Sequence, residues 1–259
     1  MYRVALLKPT LPLSILVPVY NETESLPGLL GEIADALASR EEGFELLLVD
    51  DGSTDGGIET LVELVPQLPQ LRTLRHARRC GKSAALRSGA RAARGEIIIT
   101  LDGDGQDDPA EIPRLLGAFA ADDNLALLAG VRIHRHDSAT RRWASRSANA
   151  FRGMLLRDDC PDSACGLKLF RRERFLELPF FSGMHRFLPA LFQLQGGRTA
   201  CIEVHHRPRR FGISKYRNFG RGVVGFVDLL GVLWLKRRTP PPCAAAEPKR
   251  GRGSGHEAP

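Results

Sequence analysis

Short apolar runs alternate with stretches of helical periodicity through the first half of the chain. Apolar runs of strand length occur at residues 13–19, 44–49, 71–74, 97–101 and 125–130. Between them, apolar side chains recur at helical spacing over about 24–39, from 54 or 55 to about 65, over 81–94 and over 110–121. This alternation predicts right-handed βαβ connections and an α/β fold with a mainly parallel sheet flanked by helices.

The second half is less regular. Helices are predicted over 139–157, from Arg171 and over 184–194, strands over 164–170 and 200–206, and a basic loop over 207–216. We therefore divide the chain into an N-terminal extension (1–12), a main domain (13–217), an amphipathic helix (218–238) and a basic tail (239–259). The tail is rich in Pro, Ala, Gly and charged residues, a composition that predicts disorder.

The chain of 259 residues carries a net charge of +7, which indicates an anionic partner. Charge alone does not distinguish nucleic acid, phospholipid and phosphorylated ligands. Nucleic acid is not expected as a partner, because the basic segments lack interleaved aromatic residues and no helix-turn-helix or RRM signature is present.

The cysteines and the apolar runs indicate where in the cell the protein is located. Five cysteines without a Cys-x-x-Cys pair do not form a disulfide framework, so a reducing cytosol is favoured. No apolar run reaches the roughly 18–20 residues that span a bilayer. The run at 222–235 is interrupted by Asp228 and suggests an interfacial helix. We therefore expect a cytoplasmic protein that associates peripherally with the inner face of a membrane.

Acidic residues follow two of the predicted strands. Asp50 and Asp51 come after the strand at 44–49, and Asp102 and Asp104 after the strand at 97–101. Open α/β sheets bind ligands at the carboxyl ends of their strands. A nucleotide diphosphate site needs one carboxylate for base or ribose hydroxyls and another set for Mg²⁺ or Mn²⁺. We therefore assign Asp50 and Asp51 to nucleotide binding.

Three familiar motifs fail at specific positions. Residues 80–83 resemble the end of a P-loop, but the required earlier glycine is His76. The acidic run from Asp102 resembles the start of a calcium loop, but Asp107 and Pro113 stand where it needs glycine and glutamate. No Gly-x-Gly-x-x-Gly follows a strand, which disfavours a nicotinamide-binding domain.

Four motifs, in this order over residues 13–110, resemble the family 2 glycosyltransferases of GT-A (Rossmann-like) fold. They are Val-Pro-Val-Tyr-Asn-Glu (17–22), Val-Asp-Asp-Gly-Ser-Thr-Asp-Gly (49–56), Gly-Lys-Ser-Ala-Ala-Leu (81–86) and Asp-Gly-Asp-Gly-Gln (102–106). Residues 165–172 and the pattern Arg209-x-x-Gly212-x-Ser214-Lys215 resemble the polyprenyl-phosphate sugar transferases, the dolichol-phosphate mannosyltransferase group.

The resemblance implies a role for each matching residue. Asp102, Asp104 and Gln106 would hold Mg²⁺ or Mn²⁺. Pro18, Tyr20, Glu22, Asp51 and Lys82 would line the nucleotide pocket. Arg132, Arg209 and Lys215 would contact phosphates and, with Asp102 and Asp104, form the catalytic set.

The resemblance also implies a reaction: inverting transfer of mannose, glucose or a similar sugar from a GDP- or UDP-sugar to a polyprenyl phosphate at the membrane surface. One alternative is transfer to a glycan or glycolipid in cell-envelope polysaccharide synthesis. Another is a non-catalytic GT-A scaffold with a membrane-protein partner in a glycan-assembly complex. The intact acid set argues against the scaffold.

Several residues have a second interpretation. Asp50 and Asp51 fit an ordinary strand-to-helix turn, and Lys82 a first-turn helix lysine. The alternative for Arg209 and Lys215 is that they are ordinary surface residues of a basic loop. Other positions for which a structural role is the alternative are Arg141, Arg142, Arg146, Arg152, Arg157, His185, His205, His206, Leu229, Leu230, Leu233 and Trp234. The last four form an apolar stripe that fits either packing on the core or insertion at an anionic membrane surface before Lys236, Arg237 and Arg238.

Overall fold

The computed structural model describes residues 13–57, 68–133, 149–209 and 218–240, with the backbone alone at 218–222. Several predictions fall outside these residues. They are the extension at 1–12, most of the helix predicted to reach residue 65, the basic helix before residue 149, the loop at 210–217 with Lys215, and the tail from 241.

The described chain forms one seven-stranded mixed sheet. The strands are β1 (Leu13–Val19), β2 (Glu45–Asp50), β3 (Leu71–Arg75), β4 (Ile97–Thr100), β5 (Leu125–Ile133), β6 (Lys168–Arg171) and β7 (Arg198–His205). Their order is β3-β2-β1-β4-β6-β5-β7. Only β6 runs antiparallel to its neighbours β4 and β5, and the other pairings are parallel. The prediction of an α/β fold with a mixed, mainly parallel sheet is confirmed.

Helices cover the sheet. They are α1 (Leu26–Ala36), α2 (Lys82–Ala92), α3 (Ile112–Ala120), α4 (Arg172–Leu176), α5 (Leu188–Leu194) and α6 (Asn218–Arg238), with 3-10 turns at Pro109–Glu111 and Met184–Arg186 and a helical segment at residues 149–156. The helix predicted over 184–194 is divided into a 3-10 turn and α5. The strand predicted over 164–170 begins only at Lys168, after a turn at residues 161–164 and three residues that are not strand.

The central strands are buried on both faces, which explains their continuous apolar runs. Along β1, Ile15 and Val17 pack into the core on one side of the sheet, whereas Leu16 packs into the core on the other. Every residue of β1 and β2 is buried. Two of the three strands that end at the predicted site, β1 and β2, are therefore packed on both faces.

A buried carboxylate connects several elements at the end of the sheet that lies away from the predicted site. Glu45, at the start of β2, accepts a hydrogen bond from Ser14 Oγ at 2.5 Å and also contacts Arg72 and the Arg94 backbone N–H. Burial alone would raise the pKa of Glu45, but these donors lower it below its ordinary value. Glu45 thus links β1, β2, β3 and the end of α2.

The apolar stripe predicted on helix α6 is partly buried and partly exposed. Leu229 is buried against the domain, whereas Leu230 and Trp234 are 50% and 62% exposed. An ion pair of 3.1 Å between Arg186 and Asp228 also attaches the helix. Packing on the core and exposure of an apolar face therefore both occur. Within the described ranges, no helix combines the length and apolar character needed to cross a bilayer.

Candidate active site

A cleft of about 600 Å³, part of it open to solvent, lies where β1 is flanked by β2 on one side and β4 on the other. This is the reversal of strand order at which open α/β sheets hold ligands. The cleft is lined by Pro18, Val19, Tyr20, Glu22, Asp51, Arg79, Gly81, Lys82, Ala85, Asp102, Gly103, Asp104 and Arg209. The structure thus brings together eight of the predicted site residues from five separate segments.

The loops after β1 and β2 fix each other. Asn21 adopts a left-handed conformation with φ 53°, which asparagine tolerates better than most residues. Its backbone N–H donates to Ser53 Oγ at 2.8 Å, and its side-chain oxygen accepts from the Thr54 N–H at 2.7 Å. Gly52 has φ +74°, and a Cβ there would lie 2.6 Å from the Arg78 carbonyl carbon. This loop therefore requires glycine.

The two acids after β2 have different positions. Asp51 lines the cleft and accepts hydrogen bonds from the backbone N–H groups of Cys80 and Gly81 at 2.8 and 2.7 Å, and it bonds His76 Nδ1 at 2.8 Å. Asp50 is fully buried, and its carboxylate accepts from the Ser53 N–H and faces Arg75 Nε at 3.2 Å. Asp50 fits the turn interpretation, whereas Asp51 fixes the loop before α2 at the cleft wall.

Each of the two acids after β4 contacts a cation. The ammonium group of Lys82, the first residue of α2, contacts the Asp102 carboxylate. Burial would raise the pKa of Asp102, but Lys82 lowers it. Asp104 accepts from Arg209 at 2.5 Å, and Arg209 also lies 3.4 Å from Glu22. The pKa of Asp104 is raised by burial and by the charge of Asp102.

Asp107 is a third carboxylate that sequence reasoning missed. It is buried, and its Oδ2 accepts from the Asp102 backbone N–H at 3.0 Å. Burial and the Asp102 charge raise the pKa of Asp107 to about 7. A Cβ on Gly166 would lie 2.3 Å from this Oδ2 and 2.6 Å from Asp102 Cγ, so only glycine leaves room for the acids. The sequence did carry a signal for this role, because Asp107 is a further acid shortly after Asp102 and Asp104. In the sequence alone, it served only as evidence against a calcium loop.

Besides the buried Asp50, two described residues that were predicted for the site, Gln106 and Arg132, do not line the cleft. The side chain of Gln106 donates to the Arg207 carbonyl at 3.3 Å. Arg132 forms a two-pronged ion pair with Asp162, with distances of 2.7 and 2.9 Å. Burial would lower the pKa of Arg132, but Asp162 raises it above its ordinary value. Gln106 and Arg132 therefore fix neighbouring segments in this structure.

Sequence reasoning also missed two basic groups near the acids. The Arg79 guanidinium stacks 4.2 Å from the centre of the Tyr20 ring and lines the cleft. His185, predicted to be an ordinary surface or helix-end residue, bonds Ser83 Oγ through Nδ1 at 2.8 Å. Burial, followed by the charge of Lys82, lowers its pKa well below the usual value. Its sequence distance from α2 gives no hint of this contact.

The cleft thus combines carboxylates with cations in one place. Asp102 and Asp104 offer the oxygen ligands that Mg²⁺ and Mn²⁺ prefer. Lys82, Arg79 and Arg209 offer charged donors suited to phosphate oxygens. This combination fits a ligand that carries phosphate groups together with a divalent cation.

Comparison with known proteins agrees with this geometry. The profile of glycosyl transferase family 2 matches residues 14–178. Dodecaprenyl-phosphate galacturonate synthase from Rhizobium johnstonii is 34% identical over 232 residues, which cover 88% of this chain and 68% of that protein. Undecaprenyl-phosphate 4-deoxy-4-formamido-L-arabinose transferase from Yersinia enterocolitica is 37% identical over 205 residues, which cover 78% of this chain but only 62% of the relative, less than two thirds of its length.

Solved structures show the same fold at lower identity. Glucosyl-3-phosphoglycerate synthase from Mycobacterium tuberculosis, in complex with Mn²⁺, UDP-glucose and phosphoglyceric acid, matches with a TM-score of 0.67 and 18% identity over 88% of this chain and 80% of its own. A mannosyltransferase from Pyrobaculum calidifontis, in complex with GDP-mannose and Mn²⁺, gives a TM-score of 0.62 and 20% identity over 87% and 64%. The sheet, the helices and the cleft are those of a GT-A fold, and the chain belongs to glycosyl transferase family 2.

Proposed function

We propose that this chain transfers a sugar from a nucleotide-sugar donor to a polyprenyl phosphate, with inversion at the anomeric carbon. The observation that carries the proposal is the similarity, over 205 and 232 residues, to two enzymes named for polyprenyl-phosphate sugar transfer. The cleft supports it because acids from the ends of β1, β2 and β4 meet cations there from the start of α2, the loop before α2 and the segment after β7.

The donor nucleotide would occupy the side of the cleft near β1 and β2. Pro18, Tyr20 and Asp51 line that part of the cleft. Lys82 and Arg79, which also line the cleft, would contact the two phosphates. Asp50, which is buried behind the turn, would support the nucleotide site only indirectly, through Ser53.

The acids after β4 fit a divalent cation. Three carboxylates, those of Asp102, Asp104 and Asp107, lie within one short loop, and like charges this close are costly without a neutralising partner. Lys82 and Arg209 provide that partner in the structure. Asp102 and Asp104 would hold Mg²⁺ or Mn²⁺, with Gln106 as the proposed third ligand. When bound, the cation stabilises the charge on the departing nucleoside diphosphate.

The acceptor phosphate would approach from the side of Arg209. One of its oxygens attacks the anomeric carbon as the bond to the diphosphate breaks, through an oxocarbenium-like transition state. That phosphate is already ionised near neutral pH, so a strong general base is not required. Arg209 would orient it, and Lys215 and Arg132 stay proposed partners. Arg132 would first have to leave Asp162.

The proposed range of transferred sugars is wider than the mannose or glucose that the resemblance implies. The two relatives are named for galacturonate and for 4-deoxy-4-formamido-L-arabinose, and the structural neighbours were solved with UDP-glucose and GDP-mannose. A panel of UDP- and GDP-linked neutral sugars, uronic acids and amino sugars would identify the donor. A true donor should raise the melting temperature of the protein.

Helix α6 supports an acceptor in a membrane. Its exposed large apolar side chains are Val223, Val224, Phe226, Val227, Leu230 and Trp234, and Lys236, Arg237 and Arg238 follow in the last turn. An exposed apolar face next to basic residues is typical of a helix that lies at an anionic membrane surface. These features support our proposal that the reaction takes place at a membrane surface, for which the sequence indicates the cytoplasmic face.

Radiolabelled nucleotide sugar, Mn²⁺ and undecaprenyl phosphate in detergent provide the test. The expected product is chloroform-extractable, and Asp104→Ala should abolish it. Label that appears only in a water-soluble glycan would favour the glycan-acceptor alternative. Absence of any product from the whole donor panel, with either Mg²⁺ or Mn²⁺, would favour the scaffold and contradict the proposal.

A further inference from the structure

A second cluster of metal-ligating side chains, apart from the Asp102–Asp104 loop, shares one residue, Asp51, with the lining of the cleft. One ligand atom from each of Asp51, His76 and Cys80 lies within 4.8 Å of the other two. A carboxylate, an imidazole and a thiol together are typical ligands of Zn²⁺, whereas Mg²⁺ prefers oxygen alone. We propose that Asp51, His76 and Cys80 form a three-ligand site for Zn²⁺.

The His76 ring is oriented for such a role. Its Nδ1 faces Asp51 Oδ1 at 2.8 Å, inside the cluster, whereas its Nε2 bonds Ser88 Oγ on α2 at 2.9 Å. A histidine that binds a metal almost always has its other ring nitrogen bonded in this way, because the bond fixes the tautomer and the ring orientation. Ser88 therefore acts as the positioning residue for the proposed ligand.

The loop that carries Cys80 is also fixed before any ion binds. The Cys80 and Gly81 N–H groups donate to Asp51, and the Gly52 backbone packs closely against residues 78 and 79. Cys80 itself is exposed, and its thiol contacts only the Arg78 carbonyl, at 3.2 Å, among the hydrogen bonds described for it. Binding of Zn²⁺ would release the thiol proton and replace this weak contact with a bond to the metal.

Charge balance favours a divalent ion at this place. The Asp51 carboxylate and a Cys80 thiolate carry two negative charges, which Zn²⁺ neutralises. Three protein ligands leave a fourth position for water or another ligand. Asp51 also lines the cleft, so the Zn²⁺ site and the proposed nucleotide site share this residue. We infer that bound Zn²⁺ alters nucleotide affinity, a consequence that rests on the proposed function, whereas the Zn²⁺ site itself does not.

Cobalt spectroscopy of the reduced full chain tests the site. Co²⁺ at one equivalent should give a thiolate-to-cobalt charge-transfer band in the near ultraviolet and tetrahedral bands in the visible, and Zn²⁺ should displace both. The oxygen ligands of Asp102 and Asp104 produce no thiolate band, so Asp104→Ala should keep it. Cys80→Ser should lose the band, and Ser88→Ala should weaken Co²⁺ binding by about 10–100-fold.

Cys201→Ser is the matched control, because Cys201 is also an exposed free cysteine. The band should persist in this variant. A band that survives Cys80→Ser, or that disappears in Cys201→Ser, would overturn the site, as would no band in the parent protein. Thermal denaturation of each variant separates loss of a ligand from loss of the fold.

Calorimetric titration with UDP and GDP, with and without Zn²⁺, tests the consequence. A change of at least fivefold in nucleotide affinity that Cys80→Ser removes would support it. An unchanged affinity would overturn the effect on nucleotide while the cobalt result still stands for the site. No nucleotide binding in zinc-free protein would count against the proposed function and not against the Zn²⁺ site.

Discussion

The guanidinium of Arg209 lies 2.5 Å from the Asp104 carboxylate, although 105 positions separate the two residues in the chain. The same guanidinium lies 3.4 Å from Glu22. Arg209 therefore joins the segment after β7 to acids that follow β4 and β1. Because a single cation contacts both acids, its loss affects the charge balance and the shape of the cleft together.

Arg209→Gln should lower kcat/KM for the lipid-phosphate acceptor by about 10–100-fold, because hydrogen bonds to charged groups contribute about 1.5–3 kcal/mol. The effect should appear mainly in the acceptor dependence if Arg209 orients the acceptor phosphate. Initial rates measured against acceptor and donor separately would show it. An equal loss against both substrates would instead indicate that Arg209 supports the cleft as a whole.

Arg207→Gln is a matched control on the same segment. Arg207 forms ion pairs with Glu32 and Asp108, and it does not belong to the described lining of the cleft. We expect a small loss of stability and nearly unchanged kcat/KM. A loss as large as that of Arg209→Gln would show that the segment, and not the Arg209 charge, determines activity.

Asp104→Asn should weaken Mn²⁺ binding by at least tenfold, because Mn²⁺ prefers charged oxygen ligands. The electron paramagnetic resonance signal of free Mn²⁺ in titrations measures this without reference to activity. Asp108→Asn is the control, since Asp108 caps the following 3-10 turn by accepting from the Ala110 N–H. Equal Mn²⁺ affinity in Asp104→Asn and the parent protein would contradict the metal assignment.

The alternation of strands and helices could be predicted from the sequence because both faces of the sheet are covered. The runs at 44–49 and 97–101 consist mainly of apolar residues, and the acid pairs that follow them mark the strand ends. Both acid pairs reach the same edge because β1, β2 and β4 run parallel. The location of the cleft therefore follows from the sequence pattern alone.

The partners of the site residues could not be predicted in the same way. Asp107 joins Asp102 because the loop folds back over Gly166, and His185 reaches Ser83 across about a hundred positions. Arg132 has the sequence context of a phosphate ligand but pairs with Asp162. These contacts depend on which loops meet in the folded chain, and local periodicity carries no information about them.

Glu45→Gln should destabilise the protein by about 1–3 kcal/mol at pH 7, because the buried Ser14 hydroxyl and the partly buried Arg72 lose a charged acceptor. The pKa of Glu45 is lowered from its ordinary value of 4.5, so its contribution is fully present above pH 4.5. That contribution is lost as pH falls below 4.5 through the lowered pKa. The stability gap between parent and variant should therefore narrow in acid, as urea unfolding at several pH values would measure.

Glu42→Gln is the control for this pH dependence. Glu42 is exposed and lies 3.8 Å from Arg40. A surface ion pair of this kind contributes about 0–1 kcal/mol to stability. The unfolding free energy of Glu42→Gln should follow that of the parent protein at every pH. A Glu45→Gln gap that stayed constant into acid would show that the carboxylate charge is not what Ser14 and Arg72 recognise.

Gly52→Ala and Gly56→Ala distinguish two ways in which an added side chain can destabilise the protein. One is the unfavourable left-handed backbone, and the other is steric overlap with a neighbouring loop. Both glycines have φ +74°, so both substitutions carry the penalty of a left-handed alanine, about 1–2 kcal/mol. A Cβ on Gly52 would also lie 2.6 Å from the Arg78 backbone, whereas none of the described atoms lies within 4 Å of one on Gly56. Gly52→Ala should therefore lower the melting temperature more and should alone weaken nucleotide binding. Equal effects would contradict the close packing of the two loops.

Trp234→Ala and Leu229→Ala separate the two faces of α6. Trp234 is 62% exposed, so its loss should scarcely change the melting temperature but should weaken binding to anionic vesicles by about tenfold or more, since burial of one large apolar side chain contributes about 1.5–3 kcal/mol. Leu229 is buried, and Leu229→Ala should instead cost about 2–5 kcal/mol of stability. Vesicle co-sedimentation and thermal denaturation of both variants measure the two effects. If Trp234→Ala left vesicle binding unchanged, the exposed face of α6 would not be the surface that meets the membrane.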